Sequence, residues 1–593
     1  MSSPNRAPPP KSLIIIGAGM AGIKLAHTCI DLDPNISITI LDSNDYIGGR
    51  IRNAEFCDHT IELGANWISG GITTTNSNPL FSVAGSSDND NDNEDGVNPI
   101  WKLAQDIQLQ GHESDRDDNV HVIDCCSANG DDDDDKDTTA SSSKDKDITS
   151  EYVQVCQRFN ECYEKAVKLC SEKQIKHSND IDVKTFLKEY CDWIATTPIE
   201  KAVEYNVLEV WVCNDISTLS VAHDLQPNAN DVELGRDEYF VEDVRGFNSI
   251  LNNMIHDIIK QPNCCNILLQ HQVQTIDYTT FGNCKVTAVD LAASDTTKEF
   301  IADAIVCTVS LGVLKKSKTL TFVPPLPKWK LDALDEIDMF TFSKVFVEFE
   351  STTTTTTTTT ACDNDGDNDG DNGVVPNPFW WPQNQHQVVL VSEKKGYYPL
   401  WMKYRGTNYN NNDNSKNKTT SSSDDEKRPS SIFMCYIGGT EAQRVENLSE
   451  EQLKDEIQDL FYKAFGRNIN ANNMKNTKKS TTKWLYRPKH VKVTDWSRNP
   501  NFCGSYSYHP VHSFSKIPFD DLTRGVSAAS DDADSRVGDS FASSSRTTTT
   551  PTTTTTLYFA GECYDDKFNG WVQGAYLSGE RVAKSIMLGS GTQ

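Results

Sequence analysis

Lys344 stands alone as a cation in the alternating run "MFTFSKVFVEFE" (339–350), where Phe342, Lys344 and Phe346 project from one face of a predicted strand. An ammonium held there can neutralise a carboxylate, stabilise negative charge on a neighbour or position water for reaction. The plainer reading is a stem lying on two phenylalanines with its head in solvent. A second chemistry-bearing cluster opens the chain. Gly17, Gly19 and Gly22 follow the apolar strand of "SLIIIGAGMAGIKLAHTCI" in GxGxxG spacing, and Asp42 ends a second strand, "ISITILD", 20 residues beyond the last glycine. Strand, glycines, helix, strand and acid in that order predict a dinucleotide site, with pyrophosphate at a helix N-terminus and the acid on ribose hydroxyls.

The elements that must position these groups are interrupted. At 593 residues the chain exceeds one ordinary core. Tracts at 86–95, 130–137, 352–360, 363–373, 410–426 and 543–556 are dominated by Asp, Asn, Thr and Ser with little apolar content, and they read as disordered inserts. They supply much of the net charge of -29, which repels nucleic acid and favours cationic ligands. Asp365, Asp367, Asp369 and Gly370 imitate the start of a calcium loop, but Pro376 stands where its glutamate belongs, so no metal is expected. Seventeen cysteines without CxxC pairs, no apolar leader and no apolar run of about eighteen residues predict a soluble, reduced, cytoplasmic protein with no membrane partner.

After Asp42 comes "SNDYIGGRIR", in which Gly49 allows a second close backbone approach and Arg50 offers a planar fork to phosphate. This GxGxxG, acid and GGR-x-R series resembles the flavin-containing amine oxidase family. The resemblance continues in order through "IELGANWISGG" (61–71), "YFVEDVRGFNSIL" (239–251), "VCTVSLGVLKK" (306–316), "GYYPLW" (396–401), "GSYSYHPV" (504–511) and "LYFAGECYDDKFNGWVQGAYLSGERVA" (557–583), and is strongest with polyamine oxidases.

That resemblance implies an α/β fold. A discontinuous Rossmann-like FAD-binding domain would occupy 1–105, 240–335 and 503–593, and a substrate domain on a mixed sheet flanked by helices would occupy 106–239 and 336–502. FAD would meet Gly17, Gly19, Gly22, Asp42, Gly49, Arg50, Gly64, Ala65, Asn66, Trp67, Val273, Trp496, Glu562 and Val572. Lys344 would face the flavin through water, and Tyr506 and Trp571 would hold the amine between two rings. Monoamine oxidases carry a flavin-attaching cysteine immediately before the first ring; here that residue is Ser505, which implies non-covalent FAD.

The implied reaction oxidises a polyamine at a secondary nitrogen, hydrolyses the imine to an aminoaldehyde and a shorter amine, and returns hydrogen peroxide from oxygen. The chain would act as a monomer or weak oligomer. Ser69 falls where relatives carry glutamate or histidine, so the substrate-side charge is open; Glu209 and Asp215 in "LEVWVCNDISTL", and Tyr398, are the alternatives, and the two acids also read as surface carboxylates. Other readings are oxidation of another amine, such as methylated lysine, or flavin binding without turnover.

Overall fold

The computed structural model describes residues 9–57, 59–69, 97–113, 120–126, 147–225, 234, 238–259, 264–293, 295–349, 381–382, 385–404, 431–466, 483–527 and 556–589. The low-complexity tracts and the calcium-like loop lie outside these residues, apart from Thr556.

Five parallel strands form the first sheet, in the order Leu557–Phe559, Ala304–Cys307, Ser12–Ile16, Ser37–Leu41, Cys265–Leu268. The beginning, middle and end of the chain thus meet in one sheet. Its central strands Ser12–Ile16 and Ala304–Cys307 are apolar from Leu13 and from Ala304 onward because both faces are covered. One face carries the helices Met20–Leu32, Val572–Leu588 and Ser249–Ile259 through Leu13, Ile15, Ile23, Ile38 and Ala583. The other packs Ile14, Ile16, Ile305 and Cys307 on a four-stranded sheet that includes His271–Asp277.

The alternation around Lys344 forms the strand Phe342–Phe349, second in a six-stranded sheet. It lies antiparallel between Ser431–Gly438 and His490–Val493. Val345, Val347 and Phe349 face the helix Glu450–Phe465, while Phe346 faces Met434, Tyr436 and Trp496 on the side of the parallel sheet. The period-2 pattern therefore separates one apolar core from a wall that carries the lysine. A third layer, built on the helix Thr149–Lys173, packs through Phe159 and Phe186 beneath Phe340 and Tyr506. No helix among the described residues is long and apolar enough to cross a membrane.

Candidate active site

Gly17 sits at φ 114° and directly abuts Thr308: a Cβ there would lie 2.5 Å from the threonine hydroxyl oxygen. Gly22 acts differently, since its added Cβ would fall 2.1 Å from the carbonyl oxygen of Gly17. It fits helix to loop and does not line the cavity. Asp42 organises the same turn. Its Oδ2 accepts from the Ala18 amide at 2.7 Å, and its Oδ1 accepts from the amide and side chain of Asn44 at 2.8 and 2.9 Å. Burial raises its carboxyl against these bonds.

From this turn one cavity of about 1060 Å³ runs to the six-stranded sheet. Its walls include Gly17, Gly19, Asp42, Gly49, Arg50, Gly64, Ala65, Asn66, Trp67 and Val273, then Lys344, Trp496, Tyr506, Glu562, Trp571 and Val572. Arg50 crosses its middle, with Nη1 donating to Glu562 Oε1 at 2.8 Å and to the Ser505 carbonyl at 2.9 Å. Glu562 also accepts from the Ser507 hydroxyl and the Gly570 amide, the latter at 3.0 Å. A carboxylate so surrounded fixes the loop before Trp571, which caps the helix Val572–Leu588.

Lys344 Nζ is enclosed by three oxygen acceptors: the carbonyls of Glu62 at 3.0 Å and Gly64 at 2.5 Å, and Asn66 Oδ1 at 2.9 Å. Three acceptors match the three donors of an ammonium. Burial pushes the lysine well below its usual range, and the Glu62 charge opposes that shift. Glu62 is raised in turn by burial, although its Oε1 accepts from the Phe247 amide at 2.7 Å. Tyr436 closes the cage. Its hydroxyl accepts from Trp67 Nε1 at 2.9 Å, and its ring stacks on Phe342 at 5.4 Å.

The aromatic end carries groups that motif spacing missed. Tyr506 shares a hydrogen bond of 2.7 Å with the Cys213 thiol and meets Phe340 edge-on at 5.5 Å. His223, Asp224, Glu238 and Asp566 line the same cavity. Burial opposes charge on His223, but the 3.0 Å contact with Asp224 and the charges of Asp566 and Asp180 together outweigh it and raise the imidazole above its usual value.

Four expected substrate-side residues stand off this wall. Glu209 turns to Lys395 at 2.7 Å and to the Ile216 amide at 3.1 Å, and burial raises it to about 7. Asp215 closes its own turn on the Ser217 amide at 2.9 Å and lies 3.9 Å from Lys184. Tyr398 is fully buried on Trp401 and donates to Glu456 at 2.9 Å. Ser69 points its hydroxyl into a buried space where it meets no partner among the described residues. Directly across from it in the neighbouring strand is Glu238, which does reach the cavity.

The sequence pattern of the flavin containing amine oxidoreductase family matches residues 200–587, more than half of the chain. The chain belongs to this family. An NAD(P)-binding Rossmann-like domain pattern matches residues 15–83. Polyamine oxidase 1 of Zea mays is 23% identical over 590 residues, covering 97% of this chain and 90% of that protein. Polyamine oxidase 6 of Oryza sativa subsp. japonica is 22% identical over 587 residues, with the same coverages. Among solved structures, wild-type putrescine oxidase bound to putrescine superposes with a TM-score of 0.56 at 14% identity, over 98% of this chain and 99% of that one. Cyclohexylamine oxidase from Brevibacterium oxydans IH-35A gives 0.55 at 14% identity with the same coverages. These likenesses establish the amine oxidase fold, and family membership makes this a flavin-dependent oxidase of amines.

Proposed function

We propose that this amine oxidase uses non-covalent FAD to oxidise polyamines at a secondary nitrogen. The observation that carries this reading is the continuity of one cavity from the Gly17–Asp42 turn, past Arg50 and Lys344, to Tyr506, Trp571 and three carboxylates. The residues present fit the cofactor. A Cβ at Gly17 would narrow the turn, while Gly19, Asp42 and Val273 line the nucleotide end and Arg50 and Val572 the middle. The serine before Tyr506 is committed to structure, its Oγ accepting from the Phe342 amide at 2.8 Å, which supports a non-covalent cofactor.

When bound, the flavin supplies acceptance of a hydride equivalent from the carbon beside the amine nitrogen. The substrate loses two electrons and two protons as its C–N bond becomes an imine. Water then splits the imine into an aldehyde and a shorter amine, and oxygen takes up the two electrons and two protons as hydrogen peroxide. Tyr506 and Trp571 orient the amine through their ring faces and exclude water. Lys344 Nζ, held by three oxygen acceptors, places its protons at the wall where negative charge develops. Asp224, Glu238 and Asp566 receive the distal ammonium groups, a charge that Ser69 does not supply.

The test is anaerobic flavin bleaching by purified protein with spermine, spermidine, their acetylated forms and a methyl-lysine peptide, followed by identification of the aldehyde. Bleaching by a polyamine with an aminoaldehyde product is expected. Bleaching by the methylated peptide alone, or by none of these amines, would refute the assignment.

A further inference from the structure

We propose that Cys57, Glu348 and His490 form a binding site for a zinc-type transition-metal ion, outside the oxidase cavity. Cys57 lies between the paired residues Phe56 and His59 of a hairpin formed by the strands Asn53–Phe56 and His59–Glu62. Glu348 is next to last in the strand of Lys344, and His490 lies directly across from it in the adjoining strand. The thiol sulfur, a carboxylate oxygen and an imidazole nitrogen all fall within 4.8 Å of one another.

Glu348 Oε2 and His490 Nε2 are 3.9 Å apart. Tetrahedral zinc, with bonds of about 2.0 Å to nitrogen and oxygen and about 2.3 Å to sulfur, sets its donors roughly 3.3–3.8 Å apart. The Glu348–His490 pair is close to that spacing, and the Cys57 sulfur lies within 4.8 Å of both donors. The His490 side chain is 50% exposed, which leaves its ring room to adjust.

An independent feature points to a missing cation. The Glu348 side chain is 7% exposed, and its Oε2 accepts no hydrogen bond among the described residues. Burying a carboxylate oxygen in that state is costly, and a coordinated ion removes the cost. An ion pair with protonated His490 is the simpler answer, yet at 3.9 Å it makes no hydrogen bond. The donor set itself selects the ion. Thiolate, imidazole and carboxylate suit zinc, whereas calcium and magnesium take oxygen ligands. Three protein donors leave a fourth position for water, on the open side beside His490.

The location gives such an ion a consequence. Glu348 shares a strand face with Lys344, four residues away, and the hairpin of Cys57 runs on into Glu62, Gly64 and Asn66, whose oxygens hold Lys344 Nζ. A bound ion would tie together the two elements that cage the lysine, with the Cys57 proton released to solvent.

The flavin-loaded protein, stripped with a chelator, is titrated with Zn2+ alone by calorimetry and with Co2+ by visible spectroscopy. One tight Zn2+ per chain is expected, weakening at least tenfold in Cys57→Ser and in His490→Ala. The thiolate-to-cobalt absorption should vanish in Cys57→Ser while flavin content stays that of the parent. Because His490 is exposed, its variant guards against a loss caused by misfolding. Equal Zn2+ affinity in the parent and both variants, or no Zn2+ binding by the parent, would overturn the site.

Discussion

Two buried lysines, Lys344 and Lys330, share nearly every local property and differ in what they face. Both are nearly inaccessible, and burial holds both below the usual lysine range, Lys330 at about 7. Lys330 lies in the helix Lys328–Asp335, donates to the carbonyls of Leu522 and Arg524 at 2.5 and 2.9 Å, and sits 4.1 Å from the ring centre of Phe559. It reaches no part of the large cavity. Lys344 is caged as tightly but forms part of the cavity wall, with the Glu62 charge acting on it. A perturbed lysine is thus insufficient to mark a reacting centre, because structural capping produces the same shift. Access to the space where substrate and cofactor meet makes the distinction.

The strongest way to break that comparison is to replace each lysine by methionine. Lys344→Met is expected to lower the rate of flavin reduction or of its reoxidation by about 10²–10⁴-fold in stopped flow, the range for a removed proton-handling group. Parental rates in both phases would reduce Lys344 to the status of Lys330. Lys330→Met should leave both rates unchanged and instead cost about 1–3 kcal/mol of stability in urea unfolding, because a buried carbonyl and a part-buried one lose their donor. Between about pH 7 and 10.5 the unfolded chain keeps a proton on Lys330 that the folded chain has released. The contribution of Lys330 to stability therefore rises with pH across that window, and the difference between parent and variant should widen with it. A pH-independent difference would contradict the neutral form.

What the sequence disclosed follows the range of the interactions. The turn of Gly17 and Asp42 was legible because its parts lie within about one βαβ unit. Lys344 stood out because strand alternation is local, but its cage was hidden: Glu62 and Tyr436 arrive from strands 282 and 92 residues away in the chain. Glu62, an acid between Ile61 and Leu63, was the available signal. The metal-site ligands are equally dispersed, which no CxxC search detects. Glu209 stands off the cavity wall for a local reason. It ends a π-helical turn, Tyr205–Glu209, whose wider winding shifts the face presented by the following residues. Tyr398, at φ 44° after the turn at Gly396, is directed into the core. His223 and Asp224 lie on a four-residue helix, too short to show periodicity.

A finer form of the comparison sets the carboxylates on the cavity wall, Asp224 with its contact to His223 among them, against Glu209, which stands off that wall. Glu238→Gln or Asp224→Asn should raise the KM for a polyamine about tenfold, equivalent to about 1.4 kcal/mol, with kcat within about twofold. A monoamine of similar apolar length, lacking the distal ammonium, should show no such change. An equal rise for both substrates would mean that the variants disturb the wall and not a charge contact.

The smallest expected effect belongs to Glu209→Gln. Although Leu208 beside it reaches the cavity, Glu209 spends its carboxylate on Lys395, which Glu204 also contacts. Removing one of two acids leaves the lysine paired, so the polyamine KM should stay within about twofold of the parent. Stability should change by less than about 1 kcal/mol, because the glutamine side-chain oxygen still accepts from the Ile216 amide and only the charge opposite Lys395 is lost. A tenfold rise in KM would show that Glu209 exchanges Lys395 for a substrate ammonium, and the boundary between wall and core acids would then have to be drawn behind it.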